Sequence, residues 1–244
     1  MNTAIRTVLS IALLCATALP SVGSAAGPDP ATRGPGAGGS AADAGHIIRV
    51  VGAVSVLRGK EVLNAKVGTN LQSGDVLVTG VDGRVQWQMA DESLMVISPD
   101  SRFVIEEYRF RGTQGAATAT YQLEGGGMGT ISGLIQSPGY RVETPVGKIS
   151  IDGTKYKSIF CKGNCKGVAD GLYVLVVDGQ VTVSNGAGSL TARTGQTIHT
   201  PSRNVAPRLV DGGLSIFINL SLDFQLEIDP DGLQDIIERP ISPS

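Results

Sequence analysis

The sequence predicts an all-β fold of stacked short strands, resembling a β-solenoid or roll, with a β-sandwich as the alternative. Three observations lead there. From His46 onward, short apolar runs are broken by Gly, Asp or Asn roughly every 8 to 12 residues, the spacing of an all-β domain. Glycine supplies 33 of the 244 residues, nearly twice its usual share of about 7%, and has no three-residue period, so the excess signals turns rather than collagen. Val-Asp-Gly-x-Val recurs at Val81 to Val85 and Val177 to Val181, and Asp-Gly between two β-type runs supplies the positive φ angles of a type I′ hairpin.

At the N-terminus, residues 1 to 26 read as a secretory signal. Arg6 precedes an apolar run from Val8 to Leu19, then Pro20 and the small residues Gly23-Ser24-Ala25-Ala26, with cleavage expected near Ala25 or Ala26. The run is shorter than the roughly 20 residues that span a bilayer, and Leu14 before Cys15 is too large for a lipidation site. The mature chain is therefore expected to be periplasmic or exported, with no membrane span. Residues 27 to 45, rich in Gly, Pro and Ala, hold almost nothing that fills a core and read as a flexible leader.

The β domain is expected from 46 to 200. Its candidate strands are Ile47 to Leu57, Val76 to Thr79, Arg84 to Met89, Leu94 to Ile97, Phe103 to Tyr108, Tyr121 to Leu123 and Gly129 to Ile135. They continue with Tyr140 to Glu143, Lys148 to Ile151, Lys155 to Phe160, Leu172 to Val177, Gln180 to Ser184, Ser189 to Arg193 and Gln196 to His199. Residues 201 to 244 are expected to hold one long strand and a short helix. In that strand Ile216, Ile218, Leu220, Leu222, Phe224, Leu226 and Ile228 take every second position, with Phe217 as the exception. Asp229-Pro230 then caps a helix carrying Leu233, Ile236 and Ile237, which Pro240 stops. The strand either covers the core's open end or pairs with a partner through the side bearing Ser215, Asn219, Ser221, Asp223 and Gln225.

Composition and motif searches point away from several kinds of chemistry. A formal charge of −2 and spaced single Lys and Arg residues offer no basic face for nucleic acid. His46 and His199 each sit at a strand end and are expected to be exposed, so no hydrolase triad or metal site assembles. Asp91-Glu92 and Glu106-Glu107 are neighbours, and neighbours on a strand face opposite ways, so neither pair converges by itself; carboxylates meeting from different strands stay open. Gly125-Gly126-Gly127-Met128-Gly129 lacks the phosphate-loop Lys and a following helix, and reads as a close backbone turn. Asp229-Pro230-Asp231-Gly232 lacks the later ligands of a calcium loop. Trp87 alternates with Val85 and Met89 and belongs in the core. No cofactor is expected.

Cleavage of the signal leaves two cysteines, Cys161 and Cys165, separated by Lys162-Gly163-Asn164. In an oxidising compartment they are expected to form a local disulfide, worth about 2 kcal/mol on the loop-entropy account. Redox and metal roles are the alternatives, and the residues for them are missing.

One order of motifs points to a family. Gly52-Ala53-Val54, Gly74-Asp75 with Thr79-Gly80, Asp82-Gly83-Arg84, Asp91-Glu92-Ser93, Ser101-x-Phe103-x-Ile105-x-x-Tyr108, Thr144-Pro145-x-Gly147 and Gly153-Thr154 together resemble the FecR-type periplasmic domain, over about residues 46 to 200. The matching positions are fold-forming rather than catalytic: Gly74, Asp75, Thr79, Gly80, Thr144, Pro145, Gly147, Gly153 and Thr154 each suit a turn or cap. The resemblance implies a sensor-type module. In iron-uptake regulators that module stands outside an inner-membrane helix and touches an outer-membrane receptor. This sequence shows neither a cytoplasmic segment nor a membrane helix after the signal, so direct control of a sigma factor is not expected. The resulting expectation is a non-enzymatic module of the bacterial cell envelope whose partner is an envelope protein. An envelope structural or glycan-binding protein is the alternative, and a polysaccharide-active enzyme ranks third.

Overall fold

The computed structural model describes residues 43–112, 115–163, 165, 167–211 and 217. Fifteen strands run through these described residues: β1 (Asp43–Val51), β2 (Val54–Arg58), β3 (Glu61–Asn64), β4 (Asn70–Gln72), β5 (Val76–Thr79), β6 (Arg84–Gln88), β7 (Leu94–Ile97), β8 (Arg102–Arg109), β9 (Thr118–Ile131), β10 (Tyr140–Thr144), β11 (Gly147–Cys161), β12 (Gly171–Asn185), β13 (Gly188–Arg193), β14 (Thr197–Thr200) and β15 (Arg208–Val210). All join one mixed sheet, so the chain is all-β.

The pairings divide that sheet into two halves. The front half runs β3-β2-β5-β8-β9-β10-β11-β12-β13 and uses the first half of β9 and of β11 and the second half of β12. The back half runs β4-β1-β6-β7-β9-β11-β12-β14-β15 and uses the remaining halves of the same three strands. Strands β9, β11 and β12, of 14, 15 and 15 residues, therefore carry the sheet round a corner, as strands do in orthogonally packed β layers. The main apolar core draws residues from both halves of this open sheet.

A pleated strand bends sharply only where a residue leaves the β region, and glycine does this at least cost. Gly126 in β9, Gly153 in β11 and Gly179 in β12 have φ of +79°, +59° and +82°. Two of them are also crowded: a Cβ would lie 2.0 Å from Ser101 Oγ at Gly126, and 2.3 Å from the Gly153 carbonyl oxygen at Gly179. Thr154 fastens the corner from both sides. Its N–H donates to Ser132 Oγ at 2.7 Å and its hydroxyl to the Gln180 carbonyl at 2.7 Å.

These corners correct several local expectations. The segments 121–123 and 129–135 belong to one strand up to Ile131, as do 148–151 with 155–160 and 172–177 with 180–184. Asp178-Gly179 is the bend inside β12 rather than a hairpin, and the Gly125 to Gly129 run is the bend inside β9 rather than a loop turn. Asp82-Gly83 does not close a hairpin either. It links β5 to β6, which pair with different partners in different halves. The expected strand 47–57 is two strands, broken where Gly52 takes φ +64°. β1 begins at Asp43, inside the stretch read as leader, and Ala44 is buried.

A line of aromatic rings ties the two halves together. Trp87 of β6 packs on Phe103 of β8 with ring centres 5.6 Å apart, Phe103 on Tyr121 of β9 at 5.4 Å, and Tyr121 on Tyr140 of β10 at 5.6 Å. The line closes where the Tyr140 and Tyr156 hydroxyls meet at 3.0 Å, and Tyr156 lies on β11 in the back half. All these rings are essentially inaccessible, and burying each large apolar side chain is worth roughly 1.5–3 kcal/mol. Trp87 is thus core, as the alternation indicated.

The expected long strand 214–228 and the helix after it fall outside the described residues, except at Phe217. There the backbone is α-helical rather than extended, and the side chain is buried.

The corner generates a paired test. Gly179→Ala combines a forbidden φ with a backbone clash and is expected to lower stability by more than about 2 kcal/mol. Gly195→Ala, where φ is +81° but nothing lies within 4 Å of the added Cβ, is expected to cost about 1 kcal/mol. Urea unfolding of both variants gives the comparison.

Candidate functional site

The motif residues hold turns. Gly74 takes φ +89°, which lets buried Asp75 fold its carboxylate back onto the Gln72 N–H at 2.9 Å. The same carboxylate accepts two hydrogen bonds from Arg58, at 2.8 Å from Nε and 2.7 Å from Nη2. This ion pair joins β2 to the turn before β5, and the Asp75 bonds hold the Arg58 guanidinium above its usual range. Thr79 donates to the Ser98 carbonyl at 2.6 Å and accepts from the Ser101 N–H at 2.9 Å. The Gly80 N–H bonds the Ala53 carbonyl at 2.9 Å. Thr144 Oγ1 accepts from the Gly147 N–H at 3.1 Å and donates to the Gly147 carbonyl at 2.7 Å, closing the β10–β11 hairpin. The Pro145 carbonyl accepts from Arg203 at 2.6 Å.

Asp91 is a further buried anchor whose role is legible only in three dimensions. Its carboxylate accepts from Ser93 Oγ at 2.6 Å, Tyr108 OH at 3.1 Å and the Ile135 N–H at 3.1 Å. Burial, with the Asp91 charge beside it, pushes the Tyr108 hydroxyl well above the usual tyrosine range. Asp91 and Glu92 lie in the turn between β6 and β7, not on a strand.

The charged side chains that do come together lie on the outer face of the front half. Glu106, Glu107, Thr120, Gln122, Arg141 and Glu143 line a groove of about 590 Å³ across β8, β9 and β10. Register places Glu107 beside Thr120 and Thr120 beside Arg141 in one row, and Gln122 beside Glu143 in the next. Here the expectation for Glu106-Glu107 is corrected. A register slip between Ile105 and Glu107 inserts one extra residue, so both carboxylates line the same groove. Glu107 is paired with Arg109, and Glu143 lies 3.8 Å from Arg141. At the floor, Thr120 is 7% exposed and its buried hydroxyl has no hydrogen-bond partner among the described residues. Catalytic acids are made by burying a carboxyl group, and Glu107 and Glu143 keep about two-fifths and half of their side-chain surface in solvent. The groove presents charged and hydrogen-bonding side chains to solvent.

Cys161 and Cys165 form a disulfide at the end of β11, and the connection from there to β12 is pinned at its far side. His199 Nε2 meets the Asp170 carbonyl at 3.0 Å, Tyr173 OH donates to the Ala169 carbonyl at 3.0 Å, and the Asp170 carboxylate accepts the Gly163 N–H at 2.6 Å. The His199 ring stacks on Tyr173 with centres 4.2 Å apart. His199 is thus buried, contrary to the exposed position expected of it, because β14 pairs with both β12 and β15. His46 is exposed. Among the described residues no group of His, Cys, Asp and Glu side chains is arranged to hold a metal ion.

Desolvation lowers the His199 pKa, and nearby Arg208 acts in the same direction, against the Asp170 carbonyl bond. A lowered folded pKa means that the neutral ring stabilises the fold fully above the unfolded value of about 6.5. That contribution falls as pH drops below 6.5 towards the folded pKa. Unfolding curves from pH 7 to 5 are expected to shift more for the native chain than for His199→Gln.

Residues 75–182 match the family model described as FecR protein. No curated protein matches the chain. Two crystal structures of a protein from Parabacteroides distasonis, described as an anti-sigma factor, show a distant likeness at 12% identity. One covers 55% of this chain and 58% of its own with a TM-score of 0.43, the other 55% and 57% with a TM-score of 0.42. The chain thus spans under two thirds of those structures. Asp75, the Thr144 to Gly147 hairpin and the Gly153-Thr154 corner fall inside the matched segment, and over residues 75–182, under half of its length, the chain is similar to the FecR family.

Proposed function

We propose that the chain is an exported, sensor-type module of the bacterial cell envelope that acts by holding a partner protein and not by catalysis. The groove on the front face carries this reading. Its six lining residues all fall within the FecR-type segment, and they present charge and hydrogen-bonding groups on three rigid neighbouring strands. The secretory pattern of residues 1 to 26 and the disulfide at Cys161–Cys165 support an oxidising compartment outside the cytoplasm. No helix among the described residues is long and apolar enough to cross a membrane.

Two measurements test the reading. The processed chain recovered from an envelope fraction is expected to begin near Ala26 and to titrate no thiol after denaturation. A chain retaining residues 1 to 26 in the cytoplasm, with reduced Cys161 and Cys165, overturns export. A photoreactive residue at Thr118, which faces outward beside the groove, is expected to capture one protein species, and Glu107→Lys with Glu143→Lys is expected to cut that capture at least tenfold. Capture that survives the charge reversal, or capture of glycan alone, overturns the partner reading.

A further inference from the structure

The outer side of the back half is buried beyond what its described neighbours supply. All four residues of β7 are buried. Met95 and Ile97 join the main core, whereas Leu94 and Val96, which alternate with them and so point outward, belong to neither apolar cluster yet are only 3% and 8% exposed. Register continues this outward side across the sheet, from Val96 to Gly129, Lys157 and Leu175. The next outward row joins Gly127, Ile159, Tyr173 and His199. Ile159, Tyr173 and Leu175 are each 5% exposed or less. They form a second cluster with Cys161 and Phe217, against which Cys165 and Val168 pack. Gly127 and Gly129 leave β9 without side chains on this side, and Lys157 of β11 stands between Gly129 and Leu175. Outward residues of a sheet reach such low exposure only under a cover.

Phe217 shows where that cover begins. It is seated against Ile159, Cys161, Tyr173 and Leu175 of β11 and β12, a few residues after Asp211. Beyond it the sequence supplies Ile218, Leu220, Leu222, Phe224, Leu226 and Ile228. The span from Leu175 to Val96 is three strand spacings, about 14 Å. The eleven residues 218–228 reach about 36 Å when extended. We propose that residues 214–228 of this same chain are the cover, laid over β12, β11, β9 and β7 on the outer side of the back half. The proposal rests on the packing of that side and is independent of the groove on the front face.

The test uses the full chain with a photoreactive residue at Val96. Illumination is expected to join position 96 to a peptide within 214–228, and a mixture of isotopically light and heavy copies is expected to yield only unmixed products. A product with residues 8–19, a mixed product from two copies, or no product from the folded chain overturns the assignment. As a second measurement, Val96→Cys is expected to react with a maleimide at least tenfold faster when Leu222→Asp and Phe224→Asp are added. An unchanged rate in a folded chain overturns it equally.

Discussion

Everything in this molecule depends on a sheet that must turn through a corner without losing its hydrogen bonds. β9, β11 and β12 solve that at Gly126, Gly153 and Gly179, where the backbone takes positive φ while the strands pair on either side of the bend. A sheet this wide would otherwise expose one face. The corner instead brings Trp87, Phe103, Tyr121, Tyr140 and Tyr156 into one line, so a chain with few aromatic residues places them where they serve both halves. Thr154 holds the bend by bonding to each neighbour, which explains why a threonine follows the glycine there.

The same geometry separates the two outer surfaces. The front face is charged and solvated, and a single bulge at Glu106 gathers three carboxylates from β8 and β10 around a threonine floor. The outer side of the back half carries the buried apolar residues Leu94, Val96, Ile159, Tyr173 and Leu175 around Lys157, beside the β11–β12 loop that His199 and Tyr173 clasp. Buried carboxylates at Asp75 and Asp91 contribute to neither surface. They satisfy turn N–H groups at places where chain direction changes and backbone partners run out, and each recruits a cation or hydroxyl to do so.

Much of this architecture was legible from alternation and turn residues alone: the β class, Trp87 in the core, and most strand cores from Val76 to His199. What misled was local punctuation. An Asp-Gly pair permits positive φ, but φ alone does not say whether the chain reverses or merely bends. Asp178-Gly179 therefore looked like a hairpin although both flanking runs are the same strand. Strands β4 and β15 were missed because they have three residues each, and β3 because its only apolar residues, Val62 and Leu63, are neighbours and show no alternation. His199 looked exposed beside Pro201, and its burial follows from pairing with β12 and β15, which sequence spacing does not encode. The groove was hidden for a related reason, since a bulge reverses facing without changing composition.

β9 pairs with β7, β8, β10 and β11, so the middle of the chain is the common scaffold for segments on both sides of it in sequence. As the polypeptide emerges from a ribosome, β7 and β8 appear before their partner and β10 and β11 after it. No N-terminal portion ending before Thr118 can satisfy its own edges. Such long-range pairing is slow to close and leaves strand edges open to misassociation in the interval. The order of arrival therefore favours a chain kept unfolded until nearly all of it has been delivered, followed by closure in one cooperative event.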